Sequence, residues 1–73
     1  MMPLTFAKPG VELTIVKVGG KEEVKNHLES IGFLPGKKVT VVNQVGGNVI
    51  VMLMDYRIAI SKEMANKISV QED

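Results

Sequence analysis

Residues 28–36, Leu28-Glu29-Ser30-Ile31-Gly32-Phe33-Leu34-Pro35-Gly36, constrain the fold more than any other stretch, because they spell out a helix end and a turn. With Ile31 as the last helical residue, Gly32 falls where the backbone turns left-handed, a conformation that glycine takes without steric cost. Phe33 is then placed to fold back onto Leu28, the apolar contact that accompanies this kind of cap. Leu34 precedes a proline and is pushed towards an extended conformation. Pro35-Gly36 adds a fixed φ followed by a permissive one, as a tight turn requires. The segment beyond, Lys37 to Gln44, is rich in β-formers. One nonapeptide therefore ends a helix, turns and launches a strand.

The rest of the chain supplies the other elements. Val11-Glu12-Leu13-Thr14-Ile15 alternates apolar and polar residues, the period of a strand with one buried face, and Gly19-Gly20 ends it. Lys21 to Ile31 follows helical spacing, with Val24, Leu28 and Ile31 at i, i+4 and i+7. Glu22 and Glu23 lie in the first turn, where the helix dipole favours negative charge. A second strand covers about Lys38 to Gln44, with Val39 and Val41 on one face and Thr40 and Val42 on the other. Gly46-Gly47-Asn48 has the residues of a hairpin loop. Val49 to Met54, apolar on both faces, forms a third strand, and Asp55-Tyr56 reads as a short turn into a fourth, Arg57 to Ser61. Ser61 is placed to cap one helical turn across Lys62 to Asn66. Lys67 to Val70 would close the sheet, and Gln71 to Asp73 reads as a flexible polar tail.

About five short strands, one helix inserted after the first and a helical turn before the last predict a mainly β fold. A small antiparallel barrel is the form expected, since closure removes the sheet edges that would pair with other chains. At 73 residues the chain reads as a single domain. A domain of this size buries only about 60% of the surface its unfolded chain exposes.

Composition narrows the chemistry. The absence of cysteine removes disulfides, thiolate metal sites and thiol redox chemistry together. The longest apolar run, Val49 to Met54, is far short of the ~20 residues of a membrane-spanning helix. The N-terminus lacks the basic and apolar regions of a signal peptide, so a soluble, cytoplasmic domain is expected. Nine basic and eight acidic side chains leave a net charge of +1, and Lys37-Lys38 is the only adjacent basic pair. Nucleic-acid binding, which relies on a basic face, is not expected from this balance.

The candidate reactive residues are few. His27 is the only histidine, and a transition-metal site normally recruits several nitrogen or sulfur donors, so no metal site within one chain is expected. His27 reads as a half-exposed residue on the helix flank. Arg57, the only arginine, reads as an exposed strand-end cation; an arginine supplied to a phosphoryl-transfer enzyme is the sharper alternative. Ser30, Ser61 and Ser69 have no motif context, and a nucleophile needs a base within reach. Gly46-Gly47 lacks the lysine and serine or threonine that end a P-loop. No catalytic residue and no cofactor are assigned. A polyproline groove needs several aromatics, and the chain has only Phe6, Phe33 and Tyr56.

Strand periodicity puts Ile50, Met52 and Met54 on one face and Val49, Val51 and Leu53 on the other. One set must line the barrel. The second is expected under the inserted helix, as in strands covered on both sides. Otherwise a methionine-rich strip of Ile50, Met52 and Met54, with Tyr56, is left outside, where flexible thioethers suit a partner or self-association surface.

The junction Leu28, Ile31-Gly32-Phe33 and Pro35-Gly36 resembles that of the FeoA family (ferrous iron transport protein A), small cytoplasmic SH3-like domains. Lys8-Pro9-Gly10, Val16-Lys17-Val18-Gly19-Gly20, Arg57-Ile58-Ala59-Ile60, Ala65 and Ile68-Ser69-Val70 extend the resemblance over nearly the whole chain. It departs from the family pattern at Asn48-Val49, where many members carry aspartate-proline, and at Asp55-Tyr56, where glycine is common. The resemblance implies an SH3-like barrel and a non-enzymatic part in bacterial ferrous iron uptake, docking on or regulating the membrane-bound GTPase transporter. It links the chain to a transition metal through that system, without direct membrane insertion. The expected contacts are Ile50, Met52, Met54 and Tyr56 together with the loops at Leu34 and at Gly46, Gly47 and Asn48. The alternatives are an accessory domain of a metal-dependent transcriptional regulator and a nucleic-acid-binding barrel.

Overall fold

The computed structural model describes residues 1–72, and the last residue of the expected tail, Asp73, lies outside them. The chain runs β1 (Met2–Pro3), a 3-10 turn (Leu4–Phe6), β2 (Glu12–Val18), α1 (Glu22–Ile31), β3 (Lys38–Val45), β4 (Asn48–Leu53), β5 (Tyr56–Ser61), α2 (Lys62–Ala65) and β6 (Ile68–Glu72). The six strands form one antiparallel sheet in the order β1-β6-β2-β3-β4-β5, the curled sheet of an SH3-like barrel.

The helix-to-strand junction has the geometry its residues require. Gly32 has φ +126°, and its N–H donates to the carbonyls of Glu29 (3.1 Å) and Leu28 (3.3 Å). The Phe33 N–H donates to the Leu28 carbonyl at 3.0 Å, so the last turn is closed by a double set of bonds. Phe33 and Leu28 are both fully buried in one cluster. The Lys37 N–H donates to the Leu34 carbonyl at 3.1 Å, closing the turn over Pro35-Gly36. Two further bonds, Gly36 N–H to the Ile15 carbonyl (2.8 Å) and Ile15 N–H to the Lys37 carbonyl (2.9 Å), stitch that turn to β2.

Inward-facing residues of every long strand fill the barrel: Leu13, Ile15 and Val18, Val39 and Val41, Val49, Val51 and Leu53, Ile60, and Ile68 and Val70. Leu28, Phe33, Leu4 and Ala65 plug the ends. Among the described residues no polar side chain is buried, so apolar burial is the main source of stability.

Helix α1 lies near an edge strand. β5 pairs only with β4, and at its Ser61 end Val24 of α1 lines a common recess with Ser61, Met64 and Lys67. At its Tyr56 end the phenol donates to the Ile31 carbonyl at 3.2 Å. The ten-residue helix thus comes near β5 at both of the strand's ends.

Several expectations need correction. A sixth strand, Met2–Pro3, pairs with Ser69 and Val70; two residues are too short to show alternation in sequence. Lys21 precedes the helix as its extended N-cap, and the first strand continues to Val18 through a bulge between Ile15 and Lys17. The closing strand runs on through Gln71 and Glu72, which pair with Thr14 and Leu13 where a tail was expected. The third strand ends at Leu53, and the turn is Met54-Asp55, one residue earlier than expected. Ser61 does cap the short helix, its hydroxyl accepting from the Met64 N–H at 3.2 Å. Among the described residues no helix is long and apolar enough to cross a membrane.

Candidate functional site

The two faces of β4 have different surroundings. Val49, Val51 and Leu53 are fully buried, whereas Ile50 and Met52 are half-buried on the outside of the sheet. Register explains the intermediate burial: Ile50 lies between Asn43 and Ala59, and Met52 between Thr40 and Arg57. Those neighbours are small or polar and cover each thioether or branched chain only from the sides. The helix, expected over this face, meets the sheet elsewhere: Leu28 joins the buried cluster with Phe33, and the Ile31 carbonyl accepts from the Tyr56 hydroxyl. The strip therefore remains on the surface.

Met54 extends the strip beyond the strand. It is 52% exposed and has φ +57°, a left-handed conformation that costs a residue with a Cβ about 1–2 kcal/mol. The two-residue turn that joins β4 to β5 imposes it, in a place where glycine would fit without strain. Met54→Gly is expected to raise stability by roughly 0.5–1 kcal/mol, the relieved strain less glycine's extra chain entropy. A domain of this size would then melt about 2–8 °C higher. A lower melting temperature would show that the Met54 side chain contributes packing worth more than its strain.

A shallow recess lined by Glu12, Lys38, Val39, Thr40, Met52 and Met54 adjoins the strip on its β2 side. The cross-strand line Glu12, Thr40, Met52, Arg57 carries an acid at one end and a base at the other. Lys38 Nζ donates to Thr14 Oγ1 at 2.8 Å beside it. Sequence reading missed Glu12, Lys38 and Thr40 as neighbours, since only strand register brings them next to the methionines.

The other expected contact residues are divided. Leu34, 37% exposed, lies at the same end as Met54, because Val39 pairs with Leu53 and places the two connections side by side. Gly46, Gly47 and Asn48 lie at the opposite end of β4, about 17 Å away along the strand. Tyr56 pairs with Leu53, so it shares the inner face and leans onto the helix end through its bond to Ile31. It is not part of the outer strip.

Ser61 Oγ is engaged in its cap, and Ser30 Oγ donates to the His27 carbonyl at 2.6 Å. His27 is exposed on α1, and Arg57 is exposed on β5 beside Met52. Among the described residues no three histidine, cysteine, aspartate or glutamate side chains converge on a common point.

Comparison with known proteins adds the following. The sequence model of the FeoA domain matches residues 2–72. A Methanocaldococcus jannaschii protein bearing the name Fe(2+) transport protein A is 35% identical over 72 residues, covering 99% of this chain and 88% of that one. A crystal structure described as an iron uptake regulatory protein (FeoA) superposes with a TM-score of 0.88 at 28% identity, covering 99% of this chain and 96% of the other. The Stenotrophomonas maltophilia FeoA, solved in complex with zinc and described as an SH3 domain protein, superposes with a TM-score of 0.84 at 19% identity, over 97% of this chain and 91% of that one. ScaR with bound Zn2+ shares the fold at a TM-score of 0.88 and 17% identity, but the match covers only 37% of that longer chain.

Proposed function

Since the chain belongs to the FeoA domain family, we propose that it is a cytoplasmic accessory module of ferrous iron uptake, docking on the membrane-bound GTPase transporter of that system. It performs no bond chemistry; its contribution is the contact. The observation that carries this reading is the outer strip of β4. Ile50 and Met52 stand outside a core that is otherwise closed, and a strained turn holds Met54 exposed at their end. Backbone strain at an exposed apolar residue is of the kind that accumulates at binding sites. Flexible thioethers adapt to a partner's contours, and the flanking Glu12, Lys38 and Arg57 supply the polar rim that orients it.

The ScaR likeness supports a second reading, an accessory domain of a metal-dependent transcriptional regulator. It rests on fold alone, since the match spans only 37% of the ScaR chain at 17% identity. The docking reading is favoured because the relatives matched over most of their own length carry iron transport or iron uptake names.

Met52→Asp and Met54→Asp test the contact. Met52→Asp places a charge in the middle of the strip and Met54→Asp one at its exposed end, and each is expected to weaken binding to the transporter's soluble GTPase region about tenfold or more. Calorimetric titration measures the affinity, and circular dichroism checks the fold. Unchanged affinity in a folded double variant would remove the strip from the interface.

A further inference from the structure

The chain has five methionines and no cysteine, so thioethers are the only side-chain sulfur it offers to an oxidant. Their placement is uneven. Among the described residues the buried core is built from leucine, isoleucine, valine, alanine and phenylalanine, with no methionine in it. Met2 and Met64 are half-buried and lean on that core from outside. Met52, also half-buried, stands between Thr40 and Arg57 on the outer face of β4. Met1 and Met54 are exposed, at 78% and 52%.

The exposure of Met54 is built into the fold. Its backbone is left-handed, φ +57°, in the two-residue turn that joins β4 to β5. Buried Leu53 pairs with Tyr56 across the base of that turn, and the Tyr56 hydroxyl is bonded to the Ile31 carbonyl. An anchored segment therefore presents the thioether to solvent. Beside it lies the shallow recess that it lines together with Met52, Lys38 and Glu12.

We propose that Met54 is an oxidation site, at which a hydroperoxide converts the thioether to the sulfoxide while the fold stays intact. With hydrogen peroxide, a sulfur lone pair attacks one peroxide oxygen; the S–O bond forms as the O–O bond breaks. The hydrogen on the oxygen that stays passes to the one that leaves, which departs as water. Sulfur gives up two electrons and the peroxide takes them, so the step balances without another reactant. The core loses no contact, because it holds no methionine and Met52 and Met54 stand on the outside of the barrel. Methionine sulfoxide reductases restore the thioether, and an exposed side chain is within their reach.

The product changes the strip, a consequence that rests on the docking reading. A flexible apolar side chain becomes a polar one with a strong acceptor oxygen. A partner that buries this oxygen must strip it of water, so the end of the strip turns from attractive to costly. Oxidation then switches the surface off without unfolding the domain.

The test treats the full chain with dilute hydrogen peroxide and follows oxygen uptake at each methionine by tandem mass spectrometry of its peptides. Met54 is expected to be oxidised about tenfold faster than Met52 and Met64, with Met1 as the exposed reference. The melting midpoint of the oxidised chain should move by no more than about 4 °C, the range of a surface change. Methionine sulfoxide reductases should return the original mass. Oxidation of Met54 no faster than that of Met52 or Met64, or only with loss of the folded state, would overturn the proposal. Binding to the transporter's soluble GTPase region is then measured before and after oxidation. The sulfoxide is expected to weaken it about tenfold. In Met54→Leu, peroxide should leave the affinity at whatever value it had before treatment. Equal affinity of the native chain before and after oxidation would overturn the switch and leave the docking reading standing. No binding by the untreated chain would remove the docking reading and the switch with it, while the mass spectra decide the oxidation site by themselves.

Discussion

Replacing Phe33 with alanine is expected to lower the midpoint of thermal unfolding by roughly 15–30 °C. Phe33 is the largest fully buried side chain and forms the apolar half of the helix cap with Leu28. Truncating a buried phenylalanine typically costs about 3–5 kcal/mol, the lost transfer free energy plus the cavity left behind. A chain of this length has a total stability of about 4–11 kcal/mol on the usual per-residue scale. The substitution therefore removes a large part of it and loosens α1. Phe6→Ala is the control, since that ring is exposed and its loss should move the midpoint little. A fall of only a few degrees in Phe33→Ala would mean that the barrel end closes without the aromatic plug.

The second large effect falls on Gly32. With φ +126° and ψ 4°, it occupies a conformation that costs a residue with a Cβ about 1–3 kcal/mol. A Cβ there would also lie 3.2 Å from Leu53 Cδ2 and 3.6 Å from Tyr56 Oη, so the Leu53 side chain would have to shift. Gly32→Ala is accordingly expected to lower the melting midpoint by roughly 5–15 °C. Gly46→Ala is the milder comparison, at a φ where a Cβ is better tolerated than at +126°. Gly46 has φ +59° and nothing within 4 Å of the added carbon, so only the backbone term applies and a smaller loss is expected. Equal losses at the two positions would show that neither the close approach at Leu53 nor the larger φ adds a cost. Denaturant or thermal melts of both variants decide the matter.

These two residues are where the chain was most legible. The cap at Gly32, the Phe33–Leu28 contact and the Pro35-Gly36 turn are local, set by backbone sterics and by residues only a few positions apart, so the sequence displays them directly. The inward sets Val39 with Val41, and Val49, Val51 and Leu53, were also readable, because strand alternation needs no partner to be seen. The site was less so. The turn after β4 was placed one residue late because Met54 carries no turn signal, and its left-handed backbone is imposed by the hairpin. A shift of one residue moves a side chain to the opposite face of a sheet, which is why Tyr56 left the expected strip. Leu34 and the Gly46-Gly47-Asn48 loop were grouped as one surface, yet the topology puts them at opposite ends of β4. The helix was expected over the methionines, and only the long-range contacts of Val24, Ile31 and Tyr56 show that it lies towards the ends of β5 instead. In each case the missing information was register or long-range packing, which no window of sequence contains.

On the proposed reading, the outer strip of β4 is the surface that meets the transporter. An amide chemical-shift titration of this domain with the soluble GTPase region of the matching ferrous transporter tests it most directly. Saturable shifts centred on Thr40, Ile50, Met52, Met54 and Arg57 are expected, with the α1 side of the barrel unmoved. A flat titration of the folded domain, or shifts confined to α1 and the Tyr56 side, would contradict it.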